Sequence, residues 1–257
     1  MKISVCGKGG SGKSTVVTLL ANEARARGYR VLVVDSDESN SGLFRMLGFD
    51  HPPVPLMELV GGKKGLKQKM SRPSVLSEPR IAMPQIPEPH LLKRDGLMLV
   101  SIGKILQSLE GCACPMGVLS REFLKKLVLQ QDELAIVDME AGVEHFGRGV
   151  DTSIDSVLIV VEPPLESVNV GQKIHELASE MGINNVWAIM NKVASEEIAA
   201  RLNEELEKRH IEVVGCLHHD IDVLSSSMDG TVPIRGTAVT EAKDIMDSIL
   251  SRAGYKI

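Results

Sequence analysis

Seven short apolar runs punctuate the chain, at residues 2–6, 31–35, 97–101, 134–138, 156–161, 186–191 and 212–216. Several are apolar on both faces, the pattern of strands in a parallel sheet that helices cover on each side. Between them, apolar residues recur at helical spacing over 15–28, 118–131, 166–181, 195–209 and 238–252. This alternation predicts an α/β fold: a doubly wound, mostly parallel sheet flanked by helices on both faces, with right-handed crossovers. The 257 residues can bury one large core and contain no internal repeat, so 1–257 reads as a single domain.

Residues 50–115 break the rhythm. They hold nine of the 12 prolines, and Lys63, Lys64, Lys67, Lys69 and Arg72 form a basic stretch among them. Such a stretch is a solvated surface or a docking face. A segment this long with little periodicity is expected to be an irregular insertion of mobile or functional surface elements.

The first apolar run stops at Gly7-Lys8-Gly9-Gly10-Ser11-Gly12-Lys13-Ser14-Thr15, which fits G-x-x-x-x-G-K-S/T, and a helical pattern follows. Strand, glycine-rich turn and helix start are what a phosphate-binding loop requires. Backbone N–H groups from Gly9 to Thr15 would point at anionic oxygens, aided by the helix dipole. Lys13 would reach the β- and γ-phosphates of a nucleoside triphosphate, and the Ser14 hydroxyl would ligate Mg²⁺. One set of phosphates needs only Lys13. A second cation, Lys8, suggests a second task, such as reaching phosphates bound to another copy of the chain.

Bulk properties narrow the partners. A net charge of −5 argues against nucleic acid as the main ligand. No apolar run approaches a membrane span and the N-terminus lacks a signal-peptide pattern, so a cytoplasmic location is expected. In that setting the four cysteines are thiols or metal ligands rather than a disulfide frame.

Three more segments end strands on the edge where α/β sheets bind ligands. Asp35-Ser36-Asp37 follows the second run. Asp138-Met-Glu-Ala-Gly142 follows a strongly apolar run, as a Walker-B aspartate does, and Gly142 would let backbone approach the γ-phosphate. Asn191-Lys192 ends another, where an asparagine amide can read a purine edge. An aspartate at a strand end can simply cap the next helix. Three such signals beside a phosphate loop favour function.

The phosphate loop with Lys8, the Asp-x-Asp and the Asp-x-x-Ala-Gly together resemble the deviant Walker-A ATPases, which include MinD, ParA-type partition proteins and the nitrogenase iron protein. The resemblance runs over most of the chain and is weakest in 50–115. It implies an ATP-sandwich homodimer in which Lys8 crosses to the partner's nucleotide. It also implies that Asp37 positions the attacking water, Asp138 sits near Mg²⁺ and Asn191 contacts adenine. Glu140 departs from the family pattern. So does His218-His219-Asp220, where relatives often have a proline beside the base.

Gly111-Cys112-Ala113-Cys114-Pro115 is the remaining signal. Two thiols one residue apart can converge on one metal ion but supply only two ligands. A twofold dimer would bring Cys112 and Cys114 of both chains together as an S₄ site for Zn²⁺ or Ni²⁺. Cys6 and Cys216, at the ends of apolar runs, read as core thiols.

The Cys-x-Cys together with Asp138-Met-Glu-Ala-Gly-Val-Glu-His-Phe-Gly-Arg-Gly149 resembles the CooC family, ATPases that assist nickel insertion into carbon monoxide dehydrogenase. That resemblance implies a nucleotide-gated metallochaperone cycle with that enzyme as client. An iron–sulfur carrier or reductase, like the nitrogenase iron protein, is a rival reading, although there the cysteines are well separated. A MinD-like positioning ATPase would need a basic amphipathic membrane helix at its C-terminus. Here Ile245, Met246, Ile249 and Leu250 read as a core-facing stripe, and no stable membrane anchoring is expected. His145, His218 and His219 are candidates for transient metal ligation, but a hydrogen-bonding role is the commoner one.

Overall fold

A computed structural model describes residues 1–38, 41–71, 73–103, 114–143 and 153–255; of Cys114 it describes the backbone alone. The expected α/β architecture is what forms. Eight strands make one sheet in the order β10-β9-β8-β1-β7-β2-β5-β4. They are β1 (Lys2–Gly7), β2 (Arg30–Asp35), β4 (Leu92–Arg94), β5 (Leu97–Ser101), β7 (Glu133–Asp138), β8 (Ser156–Val161), β9 (Asn185–Val193) and β10 (Glu212–His218). All neighbours are parallel except β4, which runs antiparallel to β5 at the edge.

Strand alternation explains the layers. In β2, Leu32 and Val34 point to one apolar cluster while Val31 and Val33 point to the other. The second face is covered by α1 (Lys13–Ala26) and by α8 (Thr237–Arg252). The first carries α4 (Cys114–Lys126), α5 (Leu165–Glu180) and α6 (Glu196–Glu207). The stripe Ile245, Met246, Ile249 and Leu250 on α8 is 0–2% exposed, so it is spent inside this core. Among the described residues no helix is long and apolar enough to cross a membrane.

Residues 50–115 hold more regular structure than their prolines suggest. A 3-10 turn (Leu56–Val60) leads into α3 (Gly62–Lys69), which buries Leu66 and turns Lys64 and Lys67 to solvent. β3 (Ile81–Ala82) pairs in parallel with β6 (Leu127–Val128) as a separate two-stranded sheet. β4 and β5 are joined by Asp95-Gly96, both at positive φ (47° and 82°), the conformation that a two-residue hairpin demands. The helix expected over 118–131 is shifted. It starts at Cys114, with Pro115 in its first turn where a missing N–H costs nothing, and it stops at Lys126 because Leu127 and Val128 join β3. Besides α3, two short helices have no counterpart in the sequence pattern: α2 (Leu43–Met46) and α7 (Ile221–Asp229).

Candidate nucleotide site

Strand order reverses around β1, which is flanked by β7 on one side and β8 on the other. The loop leaving β1 therefore sits at the crevice where open α/β sheets bind ligands. Gly7 ends the strand with φ 147°. A Cβ there would lie 2.5 Å from the Val160 carbonyl oxygen, so no side chain fits. The loop folds back through a Ser11 N–H bond to the Lys8 carbonyl (3.2 Å), and Gly12 opens α1 at φ 89°. No side chain caps α1 and its first turn has no acidic residue, so the positive end of the helix dipole is not offset by a capping side chain or an acidic residue there.

Lys13 is 6% exposed, with Nζ 3.4 Å from the Lys8 carbonyl oxygen. Ser14 donates its hydroxyl to Asp138 Oδ2 at 2.6 Å. Asp138 is fully buried, and its Oδ1 has no hydrogen-bond partner. Burial pushes its carboxyl up to about 7; the Ser14 bond and Lys13 oppose that shift, whereas Asp35 and Asp37 add to it. The register of the sheet creates this crowding, because Asp35 of β2 stands opposite Asp138 of β7. An orphaned carboxylate oxygen beside a serine hydroxyl is a donor set that suits a hard divalent cation. Among the described residues no three His, Cys, Asp or Glu side chains converge on a metal site. A cation here would take its other ligands from phosphate and water.

The remaining predicted residues gather on the same edge. Asp37 is 8% exposed, and the neighbouring Ser36 N–H donates to the Asp138 carbonyl at 3.0 Å, prolonging the β2–β7 pairing past the strand end. The Gly142 N–H donates to Gly7 O at 3.2 Å, and a Cβ on Gly9 would touch Ala141 at 3.6 Å, so the loop after β7 lies against the phosphate loop. Asn191, 7% exposed, donates from Nδ2 to the Ser11 carbonyl at 2.7 Å. It also lines a cavity of about 290 Å³ with Gly12, Thr15, His219, Asp220 and Leu224, a hollow beside the loop in reach of a base. Asp220 is committed elsewhere. Its carboxylate takes the N–H groups of Asp222 and Val223 at the start of α7 and of Ala238 in α8.

Lys8 faces its own chain's α5, with Nζ 3.3 Å from Glu166 Oε2. Cys112 and His145 lie outside the described residues, and Cys114 is the first residue of α4. His218 is tied to Glu241 through its ring (2.5 Å) and its backbone N–H (2.8 Å), an anchor between β10 and α8. The His219 N–H pairs with the Val193 carbonyl. Cys6 is fully buried and its thiol is pushed up to about 12 by burial; Cys216 is only half-buried, yet burial and nearby glutamates also push it up to about 12. Both are poor thiolate donors at neutral pH.

Three features escaped sequence reasoning. Lys192 touches the phosphate loop. Ser120 of α4 shares a 2.9 Å hydroxyl–hydroxyl bond with Ser36. A second cavity of about 620 Å³ lies within the inserted region, between Leu56, Val75, Ile86 and Phe123, with Lys69 and Arg80 at its edge.

A phosphate loop at a sheet switch point, with a buried lysine and a serine–aspartate pair behind it, defines a P-loop ATPase. Residues 3–234 match the CobQ/CobB/MinD/ParA nucleotide binding domain, and the chain belongs to that family. It is 40% identical over 252 residues to an uncharacterised ATP-binding protein of Methanocaldococcus jannaschii, covering 96% of this chain and 98% of that one. It is 34% identical over 201 residues to the carbon monoxide dehydrogenase accessory protein CooC of Rhodospirillum rubrum, covering 76% and 75%. Among solved structures, the septum site-determining protein MinD of Pyrococcus horikoshii, complexed with Mg-ADP, superimposes with TM-score 0.73 at 14% identity, covering 98% and 97%. That likeness speaks for the fold.

Proposed function

We propose that this ATPase is a dimerising metallochaperone that assists nickel insertion into carbon monoxide dehydrogenase or a related nickel enzyme, acting as one domain over residues 1–257. The observation that carries this reading is the placement of α4. The helix begins at Cys114, within Cys112-Ala-Cys114, and six residues later Ser120 bonds to Ser36, between Asp35 and Asp37. A helix is stiff and rises about 1.5 Å per residue, so displacement at Ser36 would be carried to Cys114 rather than absorbed. Similarity to the Rhodospirillum rubrum protein supplies the client class.

Within the site, Lys13 and the loop N–H groups hold the phosphates and Asp37 orients the attacking water. Ser14 and Asp138 would hold Mg²⁺, which would supply neutralisation of phosphate charge. Lys8 leaves Glu166 and reaches the partner's nucleotide as the two chains close. Closure on ATP brings Cys112 and Cys114 of both chains to the twofold axis as an S₄ site for Zn²⁺ or Ni²⁺, the cargo, and hydrolysis releases it.

Metal content and oligomeric state, measured together with ATP, with ADP and without nucleotide, test the reading. One zinc or nickel per two chains, bound in a nucleotide-dependent dimer, supports it. A brown protein carrying iron and sulfide after anaerobic purification would replace it with a cluster carrier.

A further inference from the structure

The backbone of a phosphate loop has two sides. Its N–H groups turn inward to meet phosphate oxygens, so its carbonyls turn outward and need donors of their own. Consecutive residues of β9 meet two of them. Asn191 Nδ2 donates to Ser11 O at 2.7 Å, and Lys192 Nζ donates to Gly10 O at 2.5 Å.

In a regular strand residues 191 and 192 would point to opposite faces. Here Lys192 sits at φ 57°, and the β9–β10 register slips at that point: Leu217 faces Asn191 while His218 faces Val193. Lys192 is thus the extra residue of a bulge, in a left-handed conformation uncommon for a residue with a side chain. The bulge brings its ammonium to the same loop that Asn191 holds. Glu162, just past β8, secures it there with Oε1 2.6 Å from Nζ, and the Glu162 N–H is itself bonded to Ser167 Oγ at 2.9 Å. The Glu162 side chain is 16% exposed and that of Lys192 46%, so the carboxylate is shielded while the lysine stem stays open to solvent.

We propose that Lys192, held by Glu162, is a positioning residue for nucleotide binding. It fixes the Gly10 carbonyl outward and so keeps the loop N–H groups turned toward the phosphates before any nucleotide arrives. Asn191 does the same for Ser11. A clamp of this kind serves ADP and ATP alike, which separates it from groups that respond to the γ-phosphate. It is independent of the metallochaperone reading.

Titration of the full-length protein with fluorescent ADP and with a non-hydrolysable ATP analogue, alongside steady-state ATPase kinetics, tests the clamp. Lys192→Met keeps the aliphatic stem and removes the ammonium. It is expected to weaken both nucleotides by about tenfold and to raise KM to match, while kcat at saturation stays within about twofold. Glu162→Gln, a milder change that also serves if Lys192→Met misfolds, is expected to weaken both by about threefold. The double variant should be no weaker than Lys192→Met alone, because Glu162 acts through Lys192. Unchanged affinity in the single variants would overturn the proposal. So would a collapse of kcat with ADP binding intact, which would put Lys192 on the γ-phosphate, or additive losses in the double variant.

Discussion

The hydroxyls of Ser36 and Ser120 lie 2.9 Å apart, both side chains buried, and they form a direct polar link between the aspartate-rich end of β2 and α4. Ser120→Ala removes that link without touching a phosphate-facing group. Stability should fall by about 1 kcal/mol, the ordinary worth of a buried hydrogen bond. ATP affinity and basal turnover should stay near wild type. The difference in metal affinity between the ATP and ADP states should shrink, as read by competition with a chromophoric chelator. An undiminished difference would mean that the Ser36–Ser120 bond is not the relay.

The buried Asp138 carboxylate costs stability in the nucleotide-free protein, because one oxygen has no partner and two further aspartates crowd it. Asp138→Asn should therefore raise nucleotide-free stability by roughly 1–3 kcal/mol in denaturant unfolding while abolishing ATP turnover. Loss of both stability and activity would show that the carboxylate is a structural support.

The two loop lysines should separate. Lys13→Ala is expected to abolish measurable nucleotide binding. Lys8→Ala is expected to spare binding and impair hydrolysis, since its ion pair with Glu166 is largely exposed and easily exchanged for a partner's phosphates. Equal losses of binding and hydrolysis in Lys8→Ala would place Lys8 in its own chain's site.

Glu122 of α4 holds the wall of the larger cavity, accepting from the N–H groups of Val75 and Leu76 and pairing with Lys126 at 2.7 Å. Burial works against its ionisation, but bonds from Lys126, Ser74, Val75 and Leu76 outweigh it and bring the carboxyl down to about 2. A depressed carboxylate stabilises the fold above its unfolded value near 4.5 and loses that contribution as pH falls toward 2. Wild type should lose roughly 2–3 kcal/mol more than Glu122→Gln between about pH 5 and pH 2 in urea unfolding. Parallel pH profiles would remove Glu122 as the anchor.

Local signals were legible in the chain and distant ones were not. β1, the loop and the start of α1 are contiguous, so glycine spacing and apolar period announced them together. Asp37, Asp138 and Asn191 were recognisable as strand-end polar residues because parallel strands deliver their C-terminal ends to one edge. Their partners were hidden. The family resemblance puts Ser14 and Asp138, 124 residues apart, near one Mg²⁺ without giving their direct bond, and nothing in the composition tells that Ser36 meets Ser120. The role of Lys192 depends on a bulge with a lysine at positive φ, where no glycine or asparagine marks the turn. The end of α4 was misplaced because Leu127, Val128 and Leu129 continue an apolar run that suits a helix and a strand equally. α7 escaped because it leaves Ile221, Leu224 and Met228 50–81% exposed, and its sequence carries no clear buried stripe.

The most direct test of the central claim compares wild type with the Cys112→Ser, Cys114→Ser double variant. Bound zinc or nickel and oligomeric state would be measured on the same samples with ATP and with ADP. Wild type is expected to hold one metal per two chains in a nucleotide-dependent dimer, and the double variant to lose the metal and the metal-dependent dimer while still binding nucleotide. A double variant that keeps one metal per two chains would contradict the shared cysteine site.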